Sequence, residues 1–171
     1  MTIIRVILSI IAVENLHLEQ LDVKTAFLHG DLEEDIYMTQ PEGFEVSGKE
    51  NLVCKLHKSL YGLKQAPRQW YKKFNEFMSN SGFKRCDMDH YCYVKKYTNS
   101  YVILVVYVDD MLIAGSSMAE INRLKQQLLK NFEMKDLAPA KQILGMRILR
   151  NRSEGILKLC QEKYIHKLID R

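Results

Sequence analysis

A chain of 171 residues is long enough for one domain with a substantial core, or for one piece of a larger protein. With 47% hydrophobic and 27% charged residues it reads as globular, which excludes a disordered chain. The net charge of +4 is too small to imply a nucleic-acid partner, but the charge is segregated. Asp31 to Glu50 holds seven acidic residues against one lysine, and Lys55 to Arg85 holds eight Lys or Arg residues against Glu76 alone.

The apolar spacing of residues 2 to 14 predicts a helix. Its run from Ile3 to Val13 is interrupted by Arg5, lacks a convincing cleavage site, and is far short of the roughly 20 residues needed to cross a bilayer. A buried or amphipathic helix is expected, and no membrane partner. Leu21-Asp22-Val23 reads as a short strand, with a turn near His29-Gly30-Asp31. Residues 36–40 and 52–56 suit a hairpin around an acidic loop. A helix is expected from about Gln65 to Asn80, with Pro67 in its first turn and Ser81-Gly82 as its stop. Trp70, Phe74 and Phe77 share its packing face, and Lys64, Arg68 and Lys72 recur at a spacing of four. Residues 91–97 and 101–108 then read as strands, followed by an acidic turn at Asp109-Asp110 and a strand to Ala114. A helix over 118–131, a hairpin of 142–149 with 155–159, and a last helix over 161–170 complete the chain. This order implies an α+β fold with largely antiparallel pairing. Only Pro41, Pro67 and Pro139 occur, and no linker is evident, so a single unit is expected. Cys54, Cys86, Cys92 and Cys160 are too irregularly spaced for a zinc knuckle and read as reduced thiols of an intracellular protein.

The acidic turn is the most informative feature. Two-residue hairpin turns favour Asn-Gly, Asp-Gly or Gly-Gly, and Asp-Asp sets like charges side by side at the mouth of an apolar hairpin. The bland alternative is a solvated acidic turn. Asp22, near the end of another strand, can bring a third carboxylate to the same place, and converging oxygens suit magnesium. Two such ions can clamp the attacking and leaving oxygens of an in-line displacement.

Three motifs stand in order along the chain: Gln20-Leu21-Asp22-Val23-Lys24-Thr25-Ala26-Phe27-Leu28-His29-Gly30, then residues 59–70 from Ser59-Leu60-Tyr61-Gly62 to Trp70, then Tyr107-Val108-Asp109-Asp110-Met111. Through them, nearly the whole chain resembles the reverse transcriptase of copia-type long-terminal-repeat retrotransposons. The resemblance implies a polymerase palm, a ferredoxin-like antiparallel sheet with helices on one face, together with part of the fingers. Upstream fingers, thumb and ribonuclease H are expected to lie outside residues 1–171.

It also implies a set of roles. Asp22, Asp109 and Asp110 would be the catalytic carboxylates and, with Val23, would hold two Mg2+ ions, Mn2+ being an alternative. Val23 and Lys24, through backbone amides, together with Phe27, Tyr61 and Gly62, would face the incoming deoxynucleoside triphosphate. Phe27 would exclude a 2′-hydroxyl, although a Phe is more commonly just core. Gly62 would permit close backbone approach. Lys64, Arg68, Lys72 and Lys73 would add phosphate contacts, and Gly145 and Met146 belong to a hairpin that would grip the primer. The implied partners are an RNA or DNA template-primer, deoxynucleoside triphosphates and the rest of a Pol polyprotein. The implied location is cytoplasmic, in a virus-like particle or with access to the nucleus. Two other readings stay open at this point: a non-enzymatic remnant that binds nucleic acid or a partner, and a nucleotidyl cyclase on a similar sheet.

Overall fold

A computed structural model describes residues 2–87 and 89–169. In chain order it places α1 at Thr2–Val13, β1 at His17–Val23, a short 3-10 helix at Ala26–His29, β2 at Tyr37–Thr39, β3 at Val53–Lys55 and α2 at Ala66–Asn80. Then come β4 at Lys84–Arg85, β5 at Cys92–Lys96, β6 at Tyr101–Tyr107, β7 at Asp110–Gly115 and α3 at Met118–Asn131. The chain continues through β8 at Met134–Pro139, β9 at Gln142–Ile143, β10 at Met146–Asn151, β11 at Ile156–Cys160 and α4 at Glu162–Ile169. Every strand pairing is antiparallel, as the α+β expectation requires. No described helix is long and apolar enough to cross a membrane.

Although the sequence shows no linker, the chain divides into two compact units. One is Met1–Lys24 with Met78–Arg171, and the other is Thr25–Phe77. The second is an excursion entered directly from a strand and left through a helix, so it needs no proline- or glycine-rich connector.

The first unit is organised by a six-stranded sheet of order β4-β5-β6-β7-β1-β8. Residues 102–106 and 111–115 are buried without a break, so β6 and β7 need cover on both faces. On one face, Ile4, Ile7, Leu8 and Ile11 of α1, at helical spacing, cluster with Leu18, Ile103, Val105, Leu112 and Ala114 of the sheet. Burying those four α1 side chains is worth roughly 6–12 kcal/mol before conformational entropy is set against it. On the other face lies α3, which packs on β1, β7 and β8 and buries Ile121, Leu124 and Leu128. The expectation of helices on one face is therefore corrected: an all-apolar pair of central strands cannot leave either side to water.

Ser117 caps α3 by accepting from the Glu120 amide at 3.4 Å. Lys125, on α3, is buried and donates to Glu19 Oε2 and pairs with Asp136 Oδ1, each at 2.8 Å. At the end of α1, Arg150 reaches from β10 to the Ile11 carbonyl at 3.2 Å, and Arg152 to the Asn15 carbonyl at 2.7 Å. Cations placed there also suit the helix dipole.

Two expected boundaries move. The single strand expected over 142–149 is split by a turn at Leu144-Gly145 into β9 and β10, which pair with each other. The acidic turn shifts by one residue: Tyr107 pairs with Asp110, so the two-residue loop is Val108-Asp109 and Asp110 opens β7. Strand β8 is absent from the sequence reading. Its Met134-Lys-Asp-Leu-Ala-Pro lacks alternation and carries a proline, which an edge strand tolerates.

In the second unit, β2 and β3 form the expected hairpin, in the register Tyr37 to Lys55 and Thr39 to Val53. Gln40 organises the loop between them, donating to the Lys49 and Leu52 carbonyls and accepting from the Val46 amide. Trp70 and Phe74 are buried, with ring centroids 5.3 Å apart.

Candidate active site

Strand pairing in the first unit brings the carboxylates together. Asp22 on β1 stands directly opposite Asp110 on β7, and the Val23 amide donates to the Asp109 carbonyl at 2.8 Å. Paired positions on neighbouring antiparallel strands share a face, so the Asp22 and Asp110 side chains project the same way, beside the one-residue step to Asp109. Burial, and then the charges of Asp110 and Asp109, push the Asp22 carboxyl above the ordinary carboxylate range.

The turn itself is strained. Val108 has φ +57°, a left-handed conformation that a β-branched residue rarely adopts, and strain of this kind collects at functional sites. Asp110 also receives a neighbour from outside the motif: the Leu144 amide donates to Asp110 Oδ2 at 3.2 Å.

Among the described residues, no three His, Cys, Asp or Glu side chains converge into a ready-made metal cage. The donor set still fits a hard divalent cation, which usually takes one or two protein carboxylates and completes its shell with water and phosphate. A cation would also relieve the crowding registered at Asp22.

Several assigned roles are altered by the geometry. The Val23 amide is used by Asp109, and the Lys24 amide donates to the Glu133 carbonyl at 2.9 Å, so neither is available to a triphosphate. Sheet and turn pairing accounts for both. The Lys24 ammonium pairs with Glu133 at 3.1 Å. The Met146 side chain is buried in the α1 core cluster, so it presents no side chain to a primer. Gly145 has φ +77° in the β9–β10 turn.

In the second unit, the Phe27 and Tyr61 rings stand 4.5 Å apart, tilted by 44°, with Tyr61 exposed. Gly62 has φ +97° and no atom within 4 Å of a built Cβ, so its conformation and not close packing calls for glycine. Lys64 precedes α2, and both it and Arg68 are exposed. Lys72 is exposed and pairs with Glu33, which is exposed too. Lys58 and Lys73 both pair with Asp31, Lys73 at 2.9 Å, and Lys55 pairs with Asp35 at 2.7 Å. Hydrogen bonds from Lys58 and Lys73 hold the Asp31 carboxyl below its ordinary range, and those from Lys72 and Gln69 do the same for Glu33. The acidic and basic segments are thus partly spent on each other.

A family model described as reverse transcriptase (RNA-dependent DNA polymerase) matches residues 1–171, the whole chain. The chain belongs to the reverse transcriptase family. This reverse transcriptase domain is 59% identical over its full length to the retrovirus-related Pol polyprotein from transposon TNT 1-94 of Nicotiana tabacum, and covers 13% of that polyprotein. It is 39% identical, over 99% of its length, to the Pol polyprotein from transposon RE1 of Arabidopsis thaliana, of which it covers 12%. The putative transposon Ty5-1 protein YCL074W of Saccharomyces cerevisiae is 37% identical over 86% of the domain, which spans 47% of that protein. No solved structure matches it at a significant level. The relatives bear out the copia-type resemblance, and the family model's description is that of an RNA-dependent DNA polymerase.

Proposed function

We propose that this reverse transcriptase domain supplies the nucleotidyl-transfer centre of an RNA-directed DNA polymerase and works as part of a Pol polyprotein. One observation carries the reading: Asp22 faces Asp110 across β1 and β7, beside Asp109 on a strained turn. In this reading the first unit is the palm and the second belongs to the fingers. Asp22, Asp109 and Asp110 would hold two divalent ions, Mg2+ or Mn2+. When bound, such ions activate a primer 3′-hydroxyl and stabilise the pyrophosphate leaving group.

The chain's own residues bind and orient. The sheet fixes the spacing of the Asp22 and Asp110 backbones, so that a bound cation would meet both carboxylates and offset their mutual repulsion. Within the second unit Phe27 stands against Tyr61, and the family resemblance gives this aromatic the role of excluding a 2′-hydroxyl. Lys64 and Arg68 offer exposed cations for template or primer phosphates.

The test is primer extension on an RNA template with Mg2+ and deoxynucleoside triphosphates, using the chain and its Asp109→Asn variant. Extension that falls by about 10²-fold or more in the variant supports the reading, a loss in line with removing one electrostatic stabiliser from an active site. Extension indifferent to Asp109 excludes it.

A further inference from the structure

We propose that the β9–β10 turn is a positioning element for the carboxylates: the Leu144 amide holds Asp110 Oδ2 and leaves Oδ1 as the oxygen that Asp110 offers to a cation. The inference rests on the metal role given to Asp110 above and adds a residue outside the three motifs.

The turn is built for this at some cost. Ile143 pairs with Met146, so Leu144 and Gly145 are the two central residues of a tight hairpin loop. Their φ values, +48° and +77°, are both positive, as a type I′ turn requires. Such turns favour Asn-Gly, and a leucine in the left-handed region costs about 1–2 kcal/mol. Strain thus falls on the residue whose amide meets the carboxylate, at 3.2 Å.

The flanks fix where that amide lies. Ile143, Met146 and Ile148 are each at most 5% exposed, and they pack in one cluster with Leu112 and Ala114 of β7, the strand that Asp110 opens. The turn is therefore referenced to the same strand as the carboxylate it holds. A charge-assisted bond from a backbone donor has no rotamer of its own to lose, so it restrains Asp110 against repulsion from Asp22 opposite. No atom lies within 4 Å of a Cβ built at Gly145, so substitution there perturbs the turn through φ and not through a clash.

Two measurements on the full chain test the proposal. The first is the Mn2+ dissociation constant, read by electron paramagnetic resonance, for the parent, Gly145→Ala, Gly145→Asn and Asp109→Asn. Gly145→Ala should weaken Mn2+ binding by about tenfold, and Gly145→Asn should restore it, because Asn tolerates the left-handed region. The second is hydrogen exchange at the Leu144 amide, which should accelerate at least tenfold in Asp110→Ala.

A folded Gly145→Ala chain that binds Mn2+ within twofold of the parent overturns the proposal, as does Leu144 exchange that ignores Asp110→Ala. If the parent takes up no Mn2+ in an Asp109-dependent way, the metal reading falls, and the exchange measurement decides the role of the turn by itself. It decides likewise if Gly145→Ala does not fold.

Discussion

At Asp22 the requirements of folding and of chemistry pull apart. Its carboxyl is raised above 3.8 by burial first and then by Asp110 and Asp109. A raised folded value means that the native state binds the proton more tightly than the unfolded chain does. The associated stability is full below the ordinary carboxylate range and is lost as pH rises through the raised value. At neutral pH the charged Asp22 is therefore a burden on the fold. Asp22→Asn should raise the melting temperature at pH 7 by roughly 2–4 °C, the equivalent of about 1 kcal/mol in a domain of this size. The advantage should vanish near pH 3, where Asp22 is protonated in both states. Calorimetry at the two pH values decides the point, and equal gains at both would remove the electrostatic explanation.

Among the elements, α3 is held to the sheet by a buried ion pair as well as by leucines. Lys125 meets Glu19 with side-chain exposures of only 7% and 10%. Lys125→Met should cost about 3–5 kcal/mol in urea denaturation, because it leaves Glu19 buried and uncompensated; replacing both partners by apolar residues should cost much less. A loss below about 1 kcal/mol for the single variant would show that water replaces the ammonium. Neither this pair nor strand β8, which carries Asp136, is legible in the sequence, because an edge strand shows no alternation and a partner 106 positions away leaves no local trace. The helices and β6 with β7 are legible because their apolar spacing is itself the reason they fold. The three aspartates are legible as a motif, whereas Leu144 is not: its contribution is a backbone amide, which no side-chain pattern announces. Lys72 adds a long-range partner: its spacing from Arg68 suggests a basic stripe, and Glu33, 39 positions away, pairs with it, which no local pattern announces.

On the scale of the whole molecule, charge segregated in sequence is partly reunited in space. The pairs of Asp31 with Lys58 and Lys73, and of Glu33 with Lys72, are exposed and screened by solvent, so each adds little to stability. Their larger effect is on how much positive charge the second unit shows to nucleic acid. Asp31→Asn combined with Glu33→Gln should leave the melting temperature nearly unchanged. It should tighten binding to a template-primer and steepen the slope of log affinity against log salt by about two to three, as the released lysines become available to phosphates. Binding measured from low to moderate salt checks this, and an unchanged slope would mean that these lysines never face the duplex. The sheet order has a different consequence, for a chain still on the ribosome. Strand β1 sits between β7 and β8, and the partner of Asp22 across β7 is Asp110, 88 positions later. At about 5–20 residues per second, β1 waits roughly 4–18 s with both edges unpaired. The carboxylate pair therefore cannot form on a nascent chain until Asp110 has left the ribosome, well after Asp22 has emerged.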